Sequence, residues 1–140
     1  MERTDRDSNR LDSIRLVVPA TAAAVRITRV GAAGLATRAG FGYGEVEEVR
    51  LAVGEAAAML ALGDADRRSG GEAVLVVVYT VGPDGLHVEM QVEHDGDRPV
   101  EVPALAAAVL DANVDAWEAS GTSSRVVLHK RRADAYDEDD

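Results

Sequence analysis

The stretch EVEEVRLAVGEAAAMLAL at residues 45–62 carries the clearest periodic signal of the chain. Its apolar side chains recur at spacings of three and four residues, which places them on one face of an α-helix. That face consists of Val46, Val49, Val53, Ala56 and Leu60. Gly63, followed by Asp64, is typical of a helix end. We therefore predict an amphipathic helix over residues 45–62 that packs on a core.

The sequence pattern near the start of the chain predicts one strand. Residues 13–18, SIRLVV, alternate so that one face of the strand carries Ile14, Leu16 and Val18. Pro19 ends the strand. Residues 1–12 are polar and charged without periodicity, so we expect them to be disordered.

A further helix is predicted between that strand and residues 45–62. Thr21 can cap a helix over residues 22–38. Its approximate apolar stripe predicts that the core-facing residues include Ile27, Val30 and Leu35. The glycine-rich stretch GFGYG at residues 40–44 joins two helices, so we predict a turn there and not a phosphate-binding loop.

The second half of the chain predicts strands and one short helix. The stretch EAVLVVVYTV is rich in β-branched residues, and residues 86–93 alternate between apolar and polar. These two stretches are predicted to form a hairpin across the turn GPDG. The predicted elements are strands at 72–81 and 86–93, a helix at about 103–111, and strands at 114–118 and 125–130. The order β-α-α-β-β-α-β-β predicts an α+β two-layer sandwich over residues 13–131, followed by an acidic disordered tail at 132–140.

Composition excludes several classes of function. The 140 residues contain no cysteine, which excludes disulfides and thiolate metal sites. The formal net charge is −10 and Lys130 is the single lysine, which argues against nucleic-acid binding. No run of about 18 apolar residues and no signal-peptide pattern is present, so we expect a cytoplasmic protein that does not bind membranes.

Three segments carry a resemblance to a known family. They are LVVP at residues 16–19, the pair Arg29-Val30, and LAVGEA at residues 51–56. Together they resemble the anti-sigma-factor serine kinases of the GHKL (histidine-kinase-like ATPase) superfamily, which bind sigma factors and phosphorylate anti-anti-sigma proteins. The resemblance spans about residues 13–130 and implies the GHKL type of two-layer sandwich.

The catalytic pair of that family is only half present. Family members carry a Glu that activates the attacking hydroxyl or water and, one helical turn later, an Asn that coordinates Mg²⁺. The matching positions here are Glu55 and Met59. A thioether is a poor ligand for a hard cation such as Mg²⁺. Glu55 is therefore either a vestigial general base or an ordinary glutamate at the edge of the helix.

The other nucleotide-binding motifs of the family are also degraded. The adenine-binding Asp-x-Gly-x-Gly motif matches His94-Asp95-Gly96-Asp97-Arg98, where only Gly96 keeps its place. A shift of one residue would give Asp95 the adenine role but would lose both glycines. No glycine-rich lid follows, and Gly121-Thr122 resembles the late Gly-Thr of the family. We expect no nucleotide cofactor and no metal site.

The resemblance implies a regulatory function through partners. An arginine on the first helix of the family binds partners, and Arg29 occupies that position, with Arg26 one turn away. The expected partners are a sigma factor, a STAS-type anti-anti-sigma protein, or both, and a homodimer is also possible. The alternative is an active, divergent serine kinase in which Asp95, Asp97 or a partner residue supplies the Mg²⁺ ligand.

Overall fold

A computed structural model describes residues 12–63, 73–93 and 99–133, and within them five strands form one antiparallel sheet with three helices. Along the sheet the strands lie in the order β1-β2-β3-β5-β4. The α+β class predicted from the sequence is confirmed. In chain order the elements are β1 (Asp12–Pro19), α1 (Ala22–Arg38), α2 (Tyr43–Leu62), β2 (Val74–Val81), β3 (Gly85–Glu93), α3 (Ala104–Asn113), β4 (Ala116–Ala119) and β5 (Arg125–Arg131).

The helices and one face of the sheet share a single core. The predicted face of α2 is confirmed, since Val49, Val53, Ala56 and Leu60 are buried and Val46 packs against them. Alternate residues of β2, namely Leu75, Val77 and Tyr79, enter the same core. Trp117 also packs against it, and its Nε1 donates to Asp111 Oδ1 at 2.7 Å. The arrangement is therefore that of a two-layer α/β structure.

The buried face of α1 differs from the sequence prediction. Ile27 and Val30 are exposed, and of the predicted stripe only Leu35 packs against the core. The buried residues recur every four positions and are small: Ala24, Thr28, Ala32 and Ala36. Hydrophobicity alone favours the larger side chains as the core face, but the space between α1 and its neighbours admits only small ones.

A glycine ends α1 and fixes the path into α2. Gly40 has φ +94°, a conformation that side-chain-bearing residues rarely adopt. The Phe41 N–H donates to the Ala36 carbonyl at 3.0 Å, which completes a Schellman-type helix end. The backbone N–H of Gly42 then donates to Glu45 Oε1 at 2.9 Å, so α2 begins at Tyr43, two residues before the predicted start.

The single lysine ties three elements together. Lys130 Nζ on β5 lies 2.6 Å from Glu48 Oε1 on α2 and donates to the Asn113 carbonyl, at the end of α3, at 2.9 Å. Only 13% of the Lys130 side chain is exposed, which makes this ion pair stronger than a fully hydrated one. The contact fixes one end of α2 against the sheet.

The described residues extend slightly beyond the domain limits predicted from the sequence. β1 begins at Asp12, and two residues follow β5 in defined positions. Arg132 donates to the carbonyls of Ala39 and Pro83 at 3.0 and 2.8 Å, and the Ala133 N–H donates to Glu45 Oε2 at 2.6 Å. The other residues of the predicted terminal segments lie outside the described residues. Among the described helices, none has the length and apolar character that crossing a membrane requires.

Candidate functional site

The solvent-facing side of α1 carries large apolar side chains. Ile27 is 47% exposed and Val30 is 66% exposed, and Arg26 beside them is exposed as well. On a helix of 3.6 residues per turn these three positions fall within an arc of about 100°. We call these three residues the α1 outer surface. Ile27 and Val30, with the cation of Arg26 beside them, form a small exposed surface of apolar and cationic character on this helix.

Arg29 lies at the boundary between α1 and α2. It is half-buried, and a Cβ placed on Gly54 would stand 2.7 Å from its Cδ and 3.2 Å from its Nε. The absence of a side chain at Gly54 therefore gives room for the aliphatic part of Arg29 to cross α2. This contact gives Arg29 a packing role that the sequence did not reveal.

A buried tyrosine holds α1 against the sheet. The Tyr79 hydroxyl on β2 donates to the Thr28 carbonyl at 2.9 Å, and the Thr28 hydroxyl donates to the Ala24 carbonyl at 2.7 Å. Burial raises the pKa of Tyr79 to about 12, because the phenolate would be poorly solvated there. A Cβ on Gly31 would lie 2.9 Å from the Tyr79 hydroxyl. The orientation of the α1 outer surface is thus set by contacts on the opposite side of the helix.

The two α2 positions of the family's catalytic pair are both half-buried. Met59, one turn after Glu55, packs its side chain against the core. A methionine in this position fills space between α2 and its neighbours. Met59 therefore offers no oxygen ligand for a metal ion.

The Gly-Thr pair lies in the turn between β4 and β5. Gly121 and Thr122 are exposed, and the Thr122 N–H donates to Ser120 Oγ at 3.1 Å. A Cβ on Gly121 would meet nothing within 4 Å, so no close approach requires a glycine there. Within the described part of the chain, no hydrogen bond joins Gly121 or Thr122 to the two α2 positions.

Three of the predicted nucleotide-site residues cannot be placed on this framework. His94, Asp95 and Gly96 lie outside the described residues, as do Asp97 and Arg98. The chain becomes defined again at Pro99, and the Val100 N–H then donates to the Ser120 carbonyl at 3.0 Å. The segment 99–103 consequently runs beside the turn that carries Gly121.

A pair of histidines on the other face of the sheet is not apparent from the sequence. His87 on β3 and His129 on β5 are directly opposite in the strand register, although they are far apart along the chain. They line a hollow of about 320 Å³ beside the β2–β3 turn. In the described segments, no group of three or more His, Cys, Asp or Glu residues is arranged to hold a metal ion. Only the register of a non-local strand pair brings the two imidazoles together.

Comparison with known proteins does not add a family assignment. No protein-family model and no curated protein matches this chain. Two features of the chain bear on its function. One is an exposed apolar and cationic surface on α1, and the other is an α2 position that carries a thioether where the resemblance implies a metal ligand.

Proposed function

We propose that the protein is an anti-sigma-factor-like regulator of the GHKL fold type that acts in the cytoplasm by binding. It would control transcription by sequestering a sigma factor, by binding a STAS-type anti-anti-sigma protein, or by exchanging one for the other. In this proposal the partner docks on α1, and no step requires ATP hydrolysis.

The α1 outer surface is the observation that carries the proposal. Ile27 and Val30 could have been buried in the core, but small residues fill that position and the large ones remain in solvent. Covering apolar surface stabilises a complex by roughly 25 cal/mol per Å² before the costs of association. The resemblance implies that Arg29 on this helix binds partners, and the exposed Arg26, one turn away, stands beside the apolar pair.

The environment of Met59 supports regulation without phosphotransfer. Mg²⁺ prefers oxygen ligands in a near-octahedral arrangement, and phosphoryl transfer depends on it to neutralise developing charge. Met59 cannot supply an oxygen to a metal ion in any rotamer, because the only heteroatom of its side chain is a thioether sulfur. Because the Met59 position supplies no metal ligand beside it, Glu55 fits the vestigial general base that the resemblance implies.

Affinity capture from the protein's own host tests the proposal. The tagged protein is recovered from lysate, and bound proteins are identified by mass spectrometry against a tag-only control. We expect enrichment of a sigma factor or a STAS-domain protein. Arg26→Glu is expected to lower that enrichment at least about tenfold, because it reverses a charge at the docking surface.

A charge-matched variant on the opposite face serves as the control. Arg15 on β1 is exposed and alternates with Leu16 and Val18, which pack against the core, so Arg15 lies on the sheet face away from the helices. Arg15→Glu is expected to retain the partner. If neither class of partner is enriched over the tag-only control, sigma regulation is ruled out as the function of this surface; equal loss in both variants would instead exclude α1 as the docking element.

A further inference from the structure

The two histidines of the open sheet face stand close enough to act together. His87 and His129 are paired residues on antiparallel strands, and their ring centroids are 6.2 Å apart with the planes inclined at 56°. His87 is exposed and His129 is half-buried, so both rings are accessible from the same side. Directly opposed residues of this kind have Cβ atoms only about 4.5–5.5 Å apart.

This separation suits two imidazoles that share one metal ion. With a metal–nitrogen bond of about 2.1 Å, the centroids of two rings that coordinate one tetrahedral metal ion stand roughly 5.3 Å apart. The observed 6.2 Å is wider, so the two rings must turn toward each other to reach that geometry. Small side-chain rotations, without movement of the strands, are then sufficient to direct one nitrogen of each ring at a common point.

The surroundings leave room for the rest of a coordination shell. The hollow beside the pair has a volume of about 320 Å³ and is also lined by the β2–β3 turn and Thr80. This volume accommodates several water molecules, each of which occupies about 30 Å³ in the liquid. Two neighbouring charges on this face pair with each other, since Arg125 Nε donates to Glu89 Oε2 at 2.9 Å, and the carboxylate of Asp84 is among the groups that line the hollow.

We propose that His87 and His129 form a two-imidazole binding site for a late first-row divalent cation such as Zn²⁺. Imidazole nitrogen suits Zn²⁺, Cu²⁺ and Ni²⁺, whereas Mg²⁺ and Ca²⁺ require oxygen ligands. Because only two protein ligands contribute, water fills the open positions and the ion is exchangeable, unlike the four-ligand ions of structural zinc sites. The site is independent of the proposed partner binding on α1, which lies on the opposite side of the sheet.

Zinc titration of the unmodified protein gives the first test. The chain has three histidines, so proton–carbon correlation spectra resolve three imidazole signals, from His87, His94 and His129. At about pH 7.5, where a free imidazole is mostly neutral, we expect the His87 and His129 signals to shift together in one saturable 1:1 process. The His94 signal should not follow that process. The proposal would be overturned if the His94 signal shifted at lower zinc concentration than the other two, or if the His87 and His129 signals showed no saturable shift.

Single substitutions give the second test, by calorimetry with Zn²⁺. His87→Gln and His129→Gln should each weaken binding by about tenfold or more, since even the loss of an outer-shell partner costs 10–100-fold in metal affinity. His94→Gln is the matched control and should bind Zn²⁺ as the unmodified protein does. If either pair variant retains full affinity, the two imidazoles do not act as one site.

Discussion

The two sides of α1 differ in a way that reverses the usual amphipathic helix. The inner side consists of small residues with less than 2% exposure, such as Ala24 and Ala32, together with a threonine whose hydroxyl is satisfied by the helix itself. The outer side carries Ile27 and Val30 in solvent. The inner side thus determines how closely α1 approaches its neighbours, and the outer side is available for another molecule.

Side-chain size and hydrophobicity serve separate purposes on the two sides of this helix. Close packing of helices needs small side chains, whereas a docking surface gains from larger ones that lose water on binding. Arg29 lies between the two sides, because it uses its aliphatic part against Gly54. Substitutions on the two sides should therefore have separable effects on stability and on partner binding.

The largest effect is expected from enlarging the inner side. Ala32→Leu adds three carbons to a fully buried position, and overpacking of this kind should lower the free energy of unfolding by about 3 kcal/mol. Urea unfolding measures it as a lower midpoint with an unchanged slope. The matched outer change, Val30→Ser, should stay within about 0.5 kcal/mol of the unmodified protein. An equal loss of stability in Ala32→Leu and Val30→Ser would contradict the assignment of one side of α1 to the core and the other to solvent.

Tyr79, which holds the inner side of α1 against the sheet, should make the free energy of unfolding depend on pH in the alkaline range. The Tyr79 pKa is raised from 10.0 to about 12, so the unfolded state releases this proton first as the pH rises. Stability from the buried neutral phenol is present below pH 10 and is lost between about pH 10 and 12, at roughly 1.4 kcal/mol per pH unit.

Tyr79→Phe isolates this contribution. The variant should be about 1 kcal/mol less stable at neutral pH, because it lacks the hydrogen bond to the Thr28 carbonyl. Above pH 10 its free energy of unfolding should fall less steeply than that of the unmodified protein. Parallel stability curves from urea unfolding over this range would show that the buried hydroxyl does not titrate as described.

A smaller effect is expected at the boundary between the two sides. Gly54→Ala must displace Arg29, which offsets the gain in helix propensity. In an Arg29→Ala background the same change should stabilise the protein by about 1 kcal/mol, the difference between Gly and Ala in a helix interior. A double-mutant cycle from urea unfolding should therefore give a coupling energy on the order of 1 kcal/mol. No coupling would mean that Arg29 does not pack on Gly54.

How far the sequence predicts this fold depends on how local each signal is. The bounds of α1 and the buried face of α2 follow from capping residues and periodicity, and both agree with the structure. The buried face of α1 could not be predicted, because the space available between packed elements is a tertiary property. Ile27 and Val30 have the hydrophobicity of core residues, and only the distance between α1 and its neighbours excludes them.

The candidate sites were predictable to a smaller extent. Arg29 follows from the resemblance, with Arg26 one turn away, but the contact of Arg29 with Gly54 requires the crossing of two helices to be known. The pairing of His87 with His129 depends on a strand register between distant segments, so it has no local sequence signal. The degraded motif at His94, Asp95 and Gly96 lies outside the described residues and stays a prediction.

The smallest effect is expected from nucleotide. Mg-ATP and Mg-ADP at millimolar concentration should leave the thermal unfolding midpoint unchanged, because the Met59 position supplies no metal ligand. A ligand at 100 times its dissociation constant would add about 2.7 kcal/mol of stability, which a thermal-shift scan detects readily. A shift with Mg-ATP at these concentrations would favour the divergent serine kinase instead.

Site-specific photo-crosslinking in the host tests the role of the outer side most directly. A photoreactive amino acid replaces Val30 on α1 or, as the matched control, Val17 on β1; the two side chains are 66% and 51% exposed on different elements. We predict that position 30 crosslinks to a sigma factor or a STAS-domain protein and that position 17 does not. Crosslinks to such a partner from position 17 alone, or from neither position, would contradict α1 as the surface through which this protein regulates.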